Sequence, residues 1–174
     1  GCRTRVMGNV CGEEVASGRG NLSFTTINLP RLGIKHGIVN GRSNANLDEF
    51  FEDLDEKIDL VIDQLLERMQ IQGNKKVKNF PFLMGQGIWQ GSDKLSPEDT
   101  LQDVIKQGTL TVGFIGLAEC LIALTGQHHG ESEESQELGL KIVSHMRKRM
   151  DEATEKYKLN FSLIATPAEG LSGR

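Results

Sequence analysis

A chain of 174 residues with 37% hydrophobic, 25% charged and 5% aromatic residues has the size and composition of about one globular domain. Its formal net charge of -4 and lack of a basic stripe leave no electrostatic footprint for nucleic acid, no apolar run reaches the ~18 residues of a membrane span, and no basic region followed by an apolar stretch opens the chain as a secretory signal would. Three cysteines at irregular spacing, Cys2, Cys11 and Cys120, argue against a disulfide framework and for a reducing compartment, by default the cytoplasm.

Residues 1–20 mix Gly, Arg and Ser with single apolar residues and read as an irregular loop with a short strand near Arg5–Met7. Eight of the 20 glycines fall within the first 41 residues. Leu22–Leu29 is rich in β-branched and aromatic residues and reads as a strand that Pro30 stops. Residues 33–45 carry turn formers and read as a loop. Asn46 with Glu49 gives a near capping-box pattern. From there Leu47, Phe50, Phe51, Leu54, Ile58, Val61, Ile62, Leu65, Leu66 and Met69 recur at spacings of three and four, predicting a long amphipathic helix ended by Gly73.

Phe80–Met84 reads as a short strand entering a glycine-rich loop that carries Trp89. Ser96-Pro97-Glu98-Asp99 reads as a helix start, with Ser at the cap, Pro at the first position and acids in the first turn. Leu110–Ile115 reads as a strand and Leu117–Leu124 as a short buried helix ended by Gly126. Glu131–Lys158 reads as a second long helix, with Leu138, Ile142, Met146, Met150 and Ala153 on one face. Phe161–Ala165 reads as a strand, and the loop Thr166–Arg174 follows. This alternation of strands and helices predicts an α/β fold with a mainly parallel sheet. In such folds chemistry sits in loops beyond the carboxyl ends of strands.

Few residues stand out as chemistry by themselves. Arg3 beside Cys2 favours thiolate character, against the plainer reading of a thiol near a frayed end. Cys11 and Cys120 read as structural, Cys120 as core, and no pair has zinc spacing. His128-His129 near Glu131 reads as a solvated loop rather than a metal site, since no H-E-x-x-H occurs. His36 and His145 are isolated, and the acids of 49–56 read as a solvated helix face. The G-x-S-x-G, P-loop and G-x-G-x-x-G motifs are absent, and Gly85-x-Gly87-x-x-x-Gly91 misses the dinucleotide spacing. Thr166–Gly173 is a small-residue turn after a strand, where backbone N–H groups suit an anion. The alternative is an ordinary strand-to-helix turn, and Glu169 opposes a phosphate unless its side chain points away.

Five phrases occur in order: Gly1-Cys2-Arg3, Gly18-Arg19-Gly20-Asn21-Leu22, Ile27-Asn28-Leu29-Pro30-Arg31, Gly113-Phe114-Ile115-Gly116-Leu117-Ala118-Glu119 and Ala165-Thr166-Pro167-Ala168-Glu169-Gly170. Together they resemble the catalytic subunit of the anaerobic (class III) ribonucleoside-triphosphate reductase family, across essentially the whole chain. The resemblance implies that residues 1–174 are an internal part of a ten-stranded α/β barrel of the glycyl radical enzyme and ribonucleotide reductase type. A finger loop at about 1–20 and a phosphate loop at about 166–173 go with it.

Under that resemblance Cys2 matches the radical cysteine, whose thiyl form abstracts the ribose 3′ hydrogen. Asn21, or Asn28 as the neighbouring alternative, matches a polar residue that orients ribose hydroxyls or a formate reductant. Thr166, Pro167, Ala168, Glu169 and Gly170 match the stretch that binds substrate phosphates, with a looser match at Ser172 and Gly173. The resemblance further implies a glycyl radical made by an S-adenosylmethionine/iron–sulfur activating enzyme, ATP and deoxynucleotide effectors, zinc in a C-terminal part, and a homodimer. A second cysteine upstream of Gly1 and the glycyl radical loop are expected outside these residues, so the isolated piece is expected to be inactive. The missing initiator Met and the abrupt Ser172-Gly173-Arg174 end fit that expectation. A formate-lyase type of glycyl radical enzyme and a non-catalytic nucleotide- or phosphate-binding module are the rival readings.

Overall fold

The computed structural model describes residues 8–172. Strands β1 (Asn21–Asn28), β2 (Thr109–Ile115) and β3 (Asn160–Ala165) form one sheet in the order β1-β2-β3. The strands run parallel. The N–H of Thr109, opening β2, donates to the carbonyl of Gly20 just before β1, and the N–H of Thr166, just after β3, donates to the carbonyl of Phe114 near the end of β2. Central β2 is buried from Thr109 to Gly113, as expected of a parallel strand between two neighbours. The α/β alternation read from the sequence is therefore present, as a small parallel sheet.

The first helix corrects the sequence reading. Residues 33–45 are not all loop, because helix α1 spans Leu29–His36 and a 3₁₀ turn follows at Ile38–Asn40. Asn28 caps α1 by accepting the N–H of Arg31, and Pro30 sits in the first turn, where a missing N–H costs nothing. Leu29, Leu32, Gly33 and His36 form its buried face at helical spacing. Pro30 thus stops the strand by starting a helix, and Leu29 belongs to that helix rather than to β1.

Helix α2 (Leu47–Gly73) keeps its predicted bounds, with Asn46 Oδ1 accepting the N–H of Glu49. Helix α3 (Gln102–Ile105) is one turn long. Helix α4 (Leu117–Thr125) ends at Gly126 as predicted. Helix α5 (Glu133–Tyr157) starts two residues later than predicted because Ser132 caps it, accepting the N–H of Ser135. Its face of Leu138, Ile142, Met146, Met150 and Ala153 is buried. Helix α6 (Glu169–Ser172) is a single turn after β3.

Two other expectations fail. Phe80–Met84 is a run of turns, with the N–H groups of Met84 and Gly85 both donating to the Phe80 carbonyl. Phe82 is 67% exposed, so no strand alternation exists there. Ser96–Asp99 is a tight turn, in which the Ser96 N–H donates to Asp99 Oδ2. The carbonyls of Pro97 and Asp99 accept the N–H groups of Lys78 and Val77, and Lys76 bridges Thr100. Backbone groups that a helix would need are thus committed to a distant segment.

The chain divides into two compact units. The first holds residues 1–25, 62–111 and 151–162. Its core gathers Val77, Met84, Trp89, Leu101, Val104 and Ile105, with Leu22, Met69 and Leu95 packed against them. The second holds residues 26–61, 112–150 and 163–174. There α1 packs on α4, and Phe50, Leu54, Ile58, Leu121, Ile142 and Met146 are fully buried.

Candidate functional site

Cys2 lies outside the described residues. The part of the expected finger loop that is described, residues 8–20, is irregular, as predicted, and is tied into the first unit by polar side chains. Arg19 donates from its guanidinium to the carbonyls of Gln107 (2.8 Å), Val15 (3.0 Å) and Gly8 (3.2 Å). Asn160 Oδ1 accepts the N–H of Val10, and Asn9 Nδ2 donates to Gln107. Charge-assisted donation to three carbonyls is a strong way to hold a segment that has no ladder of its own. The phrase Gly18-Arg19-Gly20-Asn21 therefore ties loop 8–20 down just before β1.

Asn21, the first residue of β1, donates from Nδ2 to Thr111 Oγ1 at 2.9 Å. Thr111 in turn pairs with Ser162 Oγ at 2.9 Å. This polar line joins the three parallel strands within the first unit, and Thr111 is 3% exposed. It fixes the amide of Asn21 with its nitrogen toward Thr111. Asn28, by contrast, is exposed and caps α1. Both candidate amides are thus hydrogen-bonded, Asn21 to a strand hydroxyl and Asn28 to the first turn of α1.

In the second unit the loop after β3 is rooted at Thr166. Its N–H donates to Phe114 O at 2.9 Å, and its Oγ1 pairs with Thr26 Oγ1 at 2.9 Å. Gly113 makes room for that pair, since a Cβ there would stand 2.1 Å from Thr166 Oγ1 and 2.9 Å from Thr26 Oγ1. Pro167 follows, then Ala168 in the left-handed region at φ 47°. A non-glycine residue held there stores strain of about 1–3 kcal/mol, which is common at ligand loops. Glu169 and Gly170 are exposed and belong to α6. Gly116 serves the same region: its φ of 70° and the approach of Pro30 Cγ to 2.2 Å from a would-be Cβ both exclude a side chain.

A charge cluster escaped the sequence reading, and it corrects two expectations. The 49–56 acids are not all a solvated face, because Asp53 is 6% exposed. Nor is His36 isolated: its Nε2 meets Asp53 Oδ2 at 2.9 Å, and Lys35 and Lys57 approach the same carboxylate at 2.6 and 3.0 Å. Hydrogen bonds from Lys35 and His36 outweigh burial and hold the Asp53 carboxyl well below the usual carboxylate range. His145 is likewise paired, at 2.7 Å from Asp55 Oδ1, and Arg149 bridges Asp55 and Asp59. The one available signal was Asp53 at the helical spacing of the buried Phe50 and Leu54 face.

Cys11 and Cys120 follow expectation. Cys120 is fully buried, and burial pushes its thiol up to about 12. Cys11 donates its thiol hydrogen to the Lys158 carbonyl, and burial raises it against the lowering fields of Lys106 and Arg19. His128 is 41% exposed on the loop before α5. Among the described residues no group of three or more His, Cys, Asp or Glu side chains is placed to hold a metal ion, and no helix is long and apolar enough to cross a membrane. A cavity of about 240 Å³ in the first unit is walled chiefly by Leu66, Met69, Ile105 and Leu159 and contains none of the candidate residues.

A family model described as anaerobic ribonucleoside-triphosphate reductase matches residues 1–174. Curated relatives of that name from Salmonella typhimurium and Escherichia coli are each 31% identical to the chain over 179 and 181 residues, covering 100% of it and 24% of their own length. The relative from enterobacteria phage T4 is 29% identical over 178 residues, covering 100% of the chain and 27% of its own length. The chain thus spans about a quarter of the length of these relatives.

Proposed function

Because the chain belongs to the anaerobic ribonucleoside-triphosphate reductase family, we propose that it is part of a catalytic barrel that converts ribonucleoside triphosphates to 2′-deoxyribonucleoside triphosphates. The observation that carries this reading is the match across all 174 residues. The three parallel strands then belong to a ten-stranded α/β barrel, with a finger loop at 1–20 and a phosphate loop at 166–173. The location is the cytoplasm, and the whole polypeptide works as a homodimer.

Cys2 is the radical cysteine in this reading. Its sulfur takes the 3′ hydrogen of the ribose and returns it at the end of the cycle. A thiol suits that exchange because sulfur carries an unpaired electron more readily than oxygen or nitrogen. Asn21 holds a ribose hydroxyl or the reductant through its amide, whose orientation the Thr111–Ser162 line supports. Thr166–Gly170 receives the triphosphate, with Thr166 offering its hydroxyl. In the balance, the 2′ C–O bond breaks and its oxygen leaves as water with one proton taken from solvent, while formate is oxidised to carbon dioxide, supplying the two electrons and the one hydrogen that make the new 2′ C–H bond.

A glycyl radical, generated by a radical S-adenosylmethionine activating enzyme, supplies the oxidising equivalent in the whole enzyme. Zinc and the ATP and deoxynucleotide effector sites belong to its other parts. The test is Cys2→Ala in the full-length polypeptide, with anaerobic deoxynucleotide formation as the readout. Loss of product below detection is expected, and product formation at the parent rate refutes the assignment of Cys2.

A further inference from the structure

The pair formed by Thr26 and Thr166 has an unusual requirement. The two hydroxyls meet at 2.9 Å beside position 113 of β2, where any side chain would overlap them. Gly113 is therefore the clearance that lets a residue of β1 reach the first residue of the loop after β3. Two hydroxyls in one hydrogen bond use one hydrogen and leave the other. When Thr26 donates to Thr166, the Thr166 O–H stays available to a further acceptor, and accepting a hydrogen bond polarises it toward donation.

We propose that Thr26 is a positioning residue for substrate phosphate: it donates to Thr166 and so aims the Thr166 hydroxyl hydrogen at a phosphate oxygen, with Gly113 supplying the space. This rests on the reading of 166–170 as the phosphate loop. Thr166 is already fixed by its backbone bond to Phe114 and restricted by the following Pro167, so its hydroxyl rotor is the main freedom left. Thr26 removes it. The acceptor is an anionic oxygen of the substrate, the group that the phosphate-loop reading sets beside the Thr166 hydroxyl.

The test uses the full-length polypeptide and compares binding of CTP with binding of cytidine, which lacks phosphates. Thr26→Val keeps the shape and removes the donor, whereas Thr26→Ser keeps the donor. The expected result is roughly tenfold weaker CTP binding for Thr26→Val, from one charge-assisted hydrogen bond. Cytidine binding should be unchanged, and Thr26→Ser should stay within about twofold of the parent. Gly113→Ala should weaken CTP binding to a similar degree; if that variant fails to fold, the Val and Ser pair carries the test.

Ala168→Asp serves as the independent check on the loop. Aspartate tolerates the left-handed backbone there and adds a negative charge. If Ala168→Asp leaves CTP binding intact, the phosphate-loop reading falls and the inference falls with it. If Ala168→Asp weakens CTP binding and Thr26→Val does not, the inference alone is overturned. Equal weakening of CTP and cytidine by Thr26→Val also overturns it, because a structural role would act on both ligands.

Discussion

Replacing Asp53 removes the carboxylate on which Lys35, Lys57 and the His36 ring of the α1–α2 cluster converge. Lys35 and Lys57 are 62% and 46% exposed, so water receives them when the carboxylate is lost. Exposed ion pairs are worth about 0–1 kcal/mol. His36 has no such retreat. Its side chain is 6% exposed, and its other nitrogen has Glu49 Oε2 no nearer than 3.5 Å. Leaving the buried His36 ring nitrogen without its partner costs about 1–3 kcal/mol, which is the expected cost of Asp53→Ala. Asp53→Asn keeps an acceptor for His36 and should cost less, about 0.5–1.5 kcal/mol. The joint change His36→Leu with Asp53→Leu should recover much of the loss, since apolar replacement of both members is often neutral.

Local hydrogen exchange over residues 29–36 and 47–61 in the full-length polypeptide reads these costs as opening free energies. The acid limb gives a second check. The folded Asp53 carboxyl lies below its unfolded value of about 3.9, so its contribution is complete above about pH 5 and is lost as the pH falls through the unfolded value toward the folded one. Protection of α1 should therefore decline below about pH 4 in the parent and lose that component in Asp53→Asn. A cost below about 1 kcal/mol for Asp53→Ala, or a double variant as damaged as the sum of its singles, would refute the buried-cluster argument.

Three further outcomes follow from the packing. Trp89 donates from its indole N–H to the Val104 carbonyl at 2.8 Å inside the first unit's core, so Trp89→Phe should leave that carbonyl only the Gln107 N–H and cost about 0.5–1.5 kcal/mol by local hydrogen exchange over 101–105. With Cys120 pushed up to about 12 and buried, alkylation at neutral pH should label Cys11 and leave Cys120 unlabelled until denaturant is added, as peptide mass spectrometry would read. Gly116→Ala places a Cβ against Pro30 at a left-handed position and should cost roughly 2–4 kcal/mol, the sum of backbone and overpacking penalties. Parent-like exchange over 29–36 in that variant would count against the tight turn.

Legibility from sequence tracked how local the determining contacts were. Helices α2 and α5 carry their evidence in a repeating apolar face, so their extents were readable to within two residues. β2 and β3 were short apolar runs and equally plain. Pro30 was ambiguous because the residue that ends a strand is also well suited to a first helical turn, and only the Asn28 cap decides between them. Ser96-Pro97-Glu98-Asp99 has every local mark of a helix start, but carbonyls 97 and 99 are taken by Lys78 and Val77, about twenty residues away. His36 and Asp53 look unrelated because the 17-position separation between them includes a turn whose path no periodicity reports. Among the candidate residues, Asn21 and Thr166 are marked only by the family resemblance, and their partners Thr111, Ser162 and Thr26 are ordinary strand residues until the strands are paired.

The family phrases are mostly scaffolding, and this narrows where chemistry resides. Arg19 holds loop 8–20 through three carbonyls. In Ile27-Asn28-Leu29-Pro30-Arg31, Asn28 and Pro30 turn a strand into a helix. In Gly113-Phe114-Ile115-Gly116, the first glycine clears a path for two threonine hydroxyls and the second makes room for Pro30. None of these groups needs to touch a substrate to be required. Two kinds of loss should therefore separate in the full-length polypeptide. Variants at Gly113 or Gly116 alter local exchange and binding together, because they move backbone. If the proposed role of Cys2 holds, variants there should abolish turnover while exchange across 21–36 and 109–125 stays as in the parent. If Cys2→Ala instead loosened the sheet to the same degree as Gly116→Ala, its role would be packing, and the reactive group would have to be sought elsewhere.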